Sequence, residues 1–403
     1  MSTFEILIYV LLLFNVLLNT YLLVRINKLV FNNKDIEHQM EEELKDFVVT
    51  EESAKQANED KVEREETMPG SIDEENRQAK DAKEDSSEDS NEKDDKNNEA
   101  QHDEETHQQP CITPRTRLVT IVDSDKWKCY GISVQGNGHM INNLPCQDFH
   151  KIEMLDADKG IGVAVVSDGA GSKQNSDIGS QLVCEKSVQH LKEAIEKLNW
   201  SADNFPTANV WDGVIRVIVQ LIQNDLFEHE RTSQCSFDSL GATWMVMLFS
   251  PQKTYFAHIG DGRAGVLGKD GWKAVLTPHK GKEANQTVFI TNKVLEEGLR
   301  ISGVPVPETI VIDEPINAFV LMSDGCENGL WIKSRKENLP DGDFRYITQN
   351  TPFAPALNDI LDRIQKYESK EYGQMLFKII NHYNKPLKNE TDDKTLCLGF
   401  AIN

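Results

Sequence analysis

The chain has 403 residues, a formal net charge of −23 and a very uneven spread of charge and apolar residues. Residues 35–110 hold 28 Asp+Glu against 9 Lys+Arg with few large apolar side chains, so this stretch cannot bury a core and carries most of the acidity itself. Seven cysteines, odd in number and without a CxxC pair, exclude a disulfide framework and a zinc knuckle and fit reduced thiols.

Residues 1–5 are a short N-terminal end. Residues 6–24, ILIYVLLLFNVLLNTYLLV, are uncharged and mostly apolar, and as a helix they span roughly 28 Å, close to a bilayer core. We read this run as one transmembrane helix, a signal anchor. A cleaved signal peptide is the rival reading, but no Lys or Arg precedes the run and no small-x-small site follows it. Arg25, Lys28 and Lys34 on its C-terminal flank place the remainder in the cytosol by the positive-inside rule. Residues 25–110 read as an acidic disordered linker, and residues 111–403 as one globular domain.

From about residue 115, short apolar runs alternate with longer amphipathic ones. Strands are expected at 130–136, 160–167, 242–249, 254–260, 263–268, 272–276, 318–323 and 395–402, from β-branched and aromatic content bounded by Gly, Asp and Pro. Helical spacing fits 177–198, 209–229, 355–366 and 370–383. Many strands with helices in pairs predict an α+β fold of sheets packed on each other with helices outside.

Three strands end alike, in VVSDGAGS (165–172), HIGDG (258–262) and LMSDG (321–325). Asp-Gly is common turn chemistry, which accounts for any one of them. Carboxylates at strand ends are also held firmly enough to ligate a hard divalent cation. Asp148, before a polar stretch, and Asp392 and Asp393, before the last strand, would then join Asp168, Asp261 and Asp324. Clustered carboxylates without a cation repel one another, so a cluster implies metal. Spacing alone leaves both readings open.

The ordered set CQDF, VVSDGAGS, SLGATWMVMLF, FAHIGDGRAGVL, FVLMSDGCENGL and DDKTLCLGF resembles the protein phosphatase 2C (PPM) family, particularly its bacterial-type branch, from about residue 128 to 402. The resemblance implies a four-layer sandwich of two antiparallel β-sheets flanked by pairs of α-helices. It also implies hydrolysis of phosphoserine and phosphothreonine in proteins by a water bridging two Mn²⁺ or Mg²⁺ ions, without a covalent enzyme intermediate. By position, Asp168 would bridge the ions, Gly169 would offer its carbonyl, and Asp324 and Asp392 would complete the ligands. Asp148 would hold metal-bound water, and Asp261 would serve a third ion. Gly241-Ala242-Thr243 matches a small-residue strand start that packs in the core.

Two departures stand out. Ala170 occupies the place where well-studied eukaryotic members carry a histidine proposed as general acid. Asn143 occupies the place where many members carry a phosphate-gripping arginine, and His139 in GNGHM is the nearest substitute for substrate binding. The expected partners are phosphoserine/phosphothreonine proteins, an opposing Ser/Thr kinase, and the membrane through the N-terminal helix. No nucleic acid is expected, because no basic groove accompanies Trp200, Trp211, Trp244, Trp272 and Trp331, which read as core or pocket rim. HDEETH (102–107) belongs to the acidic linker and fits no common zinc spacing. Residues 280–310 fall where the family carries a variable flap. The alternative function is a pseudophosphatase that binds a phosphoprotein without turnover.

Overall fold

The computed structural model describes residues 115–201, 204–280, 287–338, 344–367 and 371–402. The expected membrane span, the linker and HDEETH lie outside the described residues. The chain divides into two units, Met1–His107 and Gln108–Asn403, and every described residue belongs to the second. Among the described residues no helix is long and apolar enough to cross a membrane.

Strands β1 (Thr116–Asp123) and β2 (Trp127–Val134) pair antiparallel, and one helical turn, α1 (Asn137–Ile141), leads toward β3 (Phe149–Asp156) and β4 (Ile161–Ser167). Two long helices follow, α2 (Ser176–Lys197) and α3 (Ala208–Thr232). Next come β5 (Trp244–Phe249), β6 (Thr254–Ile259), β7 (Arg263–Gly268) and β8 (Gly271–Ala274). A short hairpin, β9 (Arg300–Ile301) and β10 (Val304–Pro305), precedes β11 (Glu308–Ile312) and β12 (Ala318–Met322). After α4 (Glu327–Leu330) come the hairpin strands β13 (Trp331–Asn338) and β14 (Phe344–Pro352). Helices α5 (Ala354–Lys366), α6 (Tyr372–His382) and α7 (Lys385–Asn389) lead to the last strand, β15 (Lys394–Ala401).

The strands form two main antiparallel sheets, ordered β1-β2-β15-β12-β7-β8 and β11-β6-β5-β4-β3. Side-chain alternation explains why so many of these strands read as unbroken apolar runs, because both faces are covered. In β12, Phe319 and Leu321 join a cluster with Trp127, Met247, Phe249 and Phe256 that fills the space between the sheets. Val320 and Met322 turn the other way, onto Leu357 and Ile360 of α5 and Leu376 and Ile379 of α6. In β5, Trp244 leaves the inter-sheet face and donates its indole N–H to Ser187 Oγ of α2 at 2.7 Å. The result is helices, sheet, sheet, helices, the four layers expected.

Helix α3 buries Trp211, Ile215, Ile218, Val219, Ile222 and Leu226, a stripe at three- and four-residue spacing, and Thr207 caps its start by accepting the Val210 N–H. Burial of Trp200, Trp211, Trp244 and Trp331, and the packing of Trp272 against the helix-side core, agree with the core reading of the tryptophans. The six described cysteines are free thiols, five of them buried.

The sequence reading passed over β1, β3, β11 and the β13–β14 hairpin, and each omission has a physical reason. The polar stretch after Asp148 is β3, in which His150 and Ile152 are buried while Lys151, Glu153 and Asp156 are only half-buried. Strands β1 and β11 lie at sheet edges and are mostly half-buried, so neither shows the continuous apolar run of the central strands. Strands β13 and β14 are largely polar and pair only with each other.

Candidate metal centre

The two sheets bring all five expected aspartates to one end of the sandwich. Asp148 directly precedes β3 and Asp168 directly follows β4, neighbouring strands of the five-stranded sheet in which Phe149 opposes Ser167. Asp324 lies just beyond β12 and Asp392 just before β15, neighbours in the other sheet with Met322 opposite Leu396. Asp261 sits in the turn between β6 and β7, where the chain passes from one sheet to the other.

Crowding is visible in the acidities. Burial first, and then the charges of Asp148, Asp324, Asp392 and Asp261, hold the Asp168 carboxyl well above the usual range. Burial together with Asp261, Asp392 and Glu327 pushes Asp324 up to about 7, although a hydrogen bond with Asp168 opposes this. Burial also raises Asp261 and Asp392. Asp148 is raised by burial and by the charge of Asp393, against the Ser323 hydroxyl that donates to its Oδ2 at 2.6 Å. Its Oδ1 is buried with no hydrogen-bond partner among the described residues.

These observations fit a cation centre. Oxygen-only donors, a partnerless carboxylate oxygen and mutually raised carboxyl pKa values together fit hard divalent charge such as Mg²⁺ or Mn²⁺. The aspartates spread more widely than a single coordination shell. Among the described residues, the one set of three candidate ligands with donor atoms all within 4.8 Å lies elsewhere, at His258, His279 and Glu308.

Backbone geometry around Asp168 answers why glycine follows it. A Cβ on Gly169 would stand 2.7 Å from the carbonyl oxygens of both Gln147 and Ser176, so the Asp148 loop and the start of α2 close on it. Thr243 locks the same turn: its Oγ1 accepts the Asp168 N–H at 2.9 Å and its N–H donates to the Asp168 carbonyl at 2.8 Å. Gly241-Ala242-Thr243 is therefore more than the core packing expected of it. Ala170 is buried, with its N–H bound to Gly241 O at 2.9 Å.

Residues beyond the five expected aspartates hold the centre together. Buried Asp393 accepts the N–H groups of Gly136 at 2.6 Å and Gln147 at 2.5 Å. It also pairs with His139 Nδ1 at 2.7 Å, leaving His139 Nε2 3.9 Å from Asp392 Oδ1. This hydrogen bond raises the His139 pKa despite its burial. Arg117 of β1 donates to the carbonyls of Cys146 at 2.8 Å and Asp148 at 3.0 Å, fixing the loop from behind. Asn143, at the family's arginine position, is exposed with φ 53°.

The 280–310 segment reaches the centre through Thr287, whose hydroxyl donates to Asp261 Oδ2 at 2.8 Å, and Lys280, 3.9 Å from the same oxygen. Lys280 also lies 3.7 Å from Glu327, which takes Arg263 Nη2 at 2.8 Å and Lys333 at 2.6 Å. Burial alone would raise Glu327, but these cations hold it below its ordinary value.

The family model of protein phosphatase 2C matches residues 135–376. Serine/threonine-protein phosphatase 3 of Escherichia coli (strain K12) is 25% identical over 278 residues, covering 68% of this chain and 98% of that protein. Among solved structures, serine/threonine phosphatase Stp1 from Staphylococcus aureus is 16% identical, with a TM-score of 0.42 over 68% of this chain and 94% of its own. The S. agalactiae serine/threonine phosphatase is likewise 16% identical, with a TM-score of 0.42 over 68% of this chain and 100% of its own.

Proposed function

Because the chain belongs to the protein phosphatase 2C family of metal-dependent serine/threonine protein phosphatases, we propose that it is a membrane-anchored phosphatase acting on phosphoserine and phosphothreonine of cytosolic or membrane-bound proteins. The observation that carries this reading is the meeting of Asp148, Asp168, Asp324 and Asp392 from two sheets, with carboxyl pKa values raised by burial and by one another's charge, as a cation site has before its ion binds. Asp168, the Gly169 carbonyl, Asp324 and Asp392 would hold two Mn²⁺ or Mg²⁺ ions, and Asp261 beside Thr287 would serve a third. Divalent ions there supply the Lewis acid that polarises the phosphate and makes the attacking water acidic at neutral pH.

The chain's own groups do the rest. Asp148 keeps Oδ2 on Ser323 and offers its partnerless Oδ1 to the attacking water, orienting it toward phosphorus. His139, aimed by Asp393 and drawn toward its charged form, donates from Nε2 to a phosphate oxygen in place of the missing arginine. Gly169 and Thr243 fix the Asp168 backbone, so the ligand set is preorganised.

The anchor reading rests on the uncharged run 6–24 and its basic C-terminal flank. It makes the chain a single-pass membrane protein with its catalytic domain in the cytosol, opposing a Ser/Thr kinase. A self-repelling coil of about 75 residues spans roughly 50 Å or more, so the domain searches a volume beneath the membrane.

The test is phosphate release from a phosphothreonine peptide by full-length protein in detergent, with Mn²⁺, with EDTA, and in Asp168→Ala and Asp324→Ala. Metal-dependent release that both substitutions abolish supports the reading. Folded protein that binds Mn²⁺ and releases no phosphate from any peptide would establish the pseudophosphatase instead. Protease digestion of the domain from outside intact cells would refute the cytosolic placement.

A further inference from the structure

Three ligating side chains meet outside the aspartate centre. His258 is near the end of β6, His279 follows β8 and Glu308 opens β11; all are buried, and one donor atom from each lies within 4.8 Å of the others. We propose that His258, His279 and Glu308 form a site for a first-row transition ion of the Zn²⁺ class, distinct from the oxygen-only aspartate centre.

His258 is 1% exposed, and among the described residues neither of its ring nitrogens makes a well-formed hydrogen bond. A buried imidazole left in that state carries an uncompensated desolvation penalty, which a bound ion removes. The β6–β11 pairing sets His258 directly opposite Glu308, with Nδ1 3.3 Å from Oε2. His279 stacks on His258 with ring centroids 4.2 Å apart and planes 8° from parallel.

His279 has the outer-sphere contact usual for a histidine ligand. Its Nε2 lies 3.1 Å from Pro305 O, and donation there leaves the lone pair on Nδ1. That lone pair is engaged only by a 3.2 Å bond from Gly260 N. Ligation exchanges this long bond for the ion and turns the two rings out of parallel, so that their lone pairs converge. Burial keeps both imidazoles neutral, with His279 lowered to about 4, so at neutral pH no proton has to leave either ring. Two imidazoles and one carboxylate are a borderline donor set that suits Zn²⁺ and its neighbours better than Mg²⁺.

The position gives the ion a structural task. His279 immediately precedes residues 280–307, Glu308 immediately follows them, and His258 belongs to the central sheet. An ion held by all three closes the neck of that segment onto β6. It also fixes His279, whose N–H donates to the Gly260 carbonyl at 2.7 Å, next to Asp261. None of this depends on the phosphatase reading.

The experiment strips full-length protein with a chelator and holds it in excess Mg²⁺ to satisfy the oxygen site. One equivalent of Zn²⁺ is added, affinity is measured by competition, and the loaded protein is examined by X-ray absorption at the zinc edge. We expect two imidazoles in the first shell, at least tenfold weaker binding in Glu308→Gln and His258→Gln, and unchanged binding in Asp324→Asn. A spectrum without imidazole scattering overturns the proposal, as does affinity lost in Asp324→Asn but kept in Glu308→Gln. The wild-type spectrum decides the question if either neck variant fails to fold.

Discussion

Acidification should drive Mn²⁺ out of the aspartate centre, by an amount that can be worked from one residue. In the metal-free protein, burial and the charges of Asp261, Asp392 and Glu327 push Asp324 up to about 7. A ligand carboxyl must be ionised, so protons compete with the ion. A group titrating near 7 is about three quarters ionised at pH 7.5 and about 3% ionised at pH 5.5, so displacing its proton weakens binding roughly 25-fold over that interval. Asp168, also held well above the usual range by burial and its neighbours, adds a second proton of the same sign, which makes 25-fold a lower bound.

The same shifts govern stability. A carboxyl whose folded pKa lies above its unfolded value destabilises the metal-free fold increasingly as pH rises from about 4 through 7, and the bound ion relieves this. The stabilisation gained from Mn²⁺ should therefore grow with pH across that window. Buried His150, lowered to about 3, and His279 titrate alike with and without the ion and cancel from the difference. Titration calorimetry at pH 5.5, 6.5 and 7.5 in buffers of different ionisation heat yields both affinity and protons released. Affinity that varies less than about threefold, with no proton release, would refute the reasoning.

Three further outcomes are expected. Gly169→Ala places a methyl group 2.7 Å from two carbonyl oxygens, and should cost about 1–3 kcal/mol in urea unfolding together with weaker Mn²⁺ binding. Arg263→Met strips Glu327 of its closest buried cation, and should cost roughly 3 kcal/mol in the same assay, part of which Glu327→Gln restores in the double variant. Asp393→Asn removes the charge opposite His139, so NMR titration should show the His139 pKa falling toward its ordinary value while kcat/KM for a phosphopeptide drops about tenfold.

The central strands and the paired helices were legible because their burial is two-sided or strictly periodic. β5 is apolar at every position, and α3 repeats its buried residues at helical spacing. From spacing the aspartates read either as turn residues or as candidate ligands of a divalent cation, and the family resemblance implies the second. Ser323 and Arg117 carried no such signal, and Asp393 and Thr243 were legible only as one more carboxylate and as core packing, since each acts by a hydrogen bond to a distant part of the chain. Gly136 and Asp393 are 257 positions apart, and Ser323 and Asp148 are 175 apart. A single sequence records residue types and not such meetings. The same holds for His258, His279 and Glu308, which become neighbours only when β11 pairs with β6.

Asp168 and Asp148 hang from one sheet while Asp324 and Asp392 hang from the other, so the distance between the two carboxylate pairs is set by whatever props the sheets apart. That spacer is the layer of Trp127, Phe249 and Phe319, whose rings meet at 5.1–5.9 Å in the middle of the sandwich. If these carboxylates hold the ions as proposed, metal affinity would report interior thickness. Trimming Phe319 to Leu touches no ligand, yet it would let the layers settle and change which ion fits the gap. Selection for a new metal preference could find its answers in the hydrocarbon interior as readily as among the carboxylates.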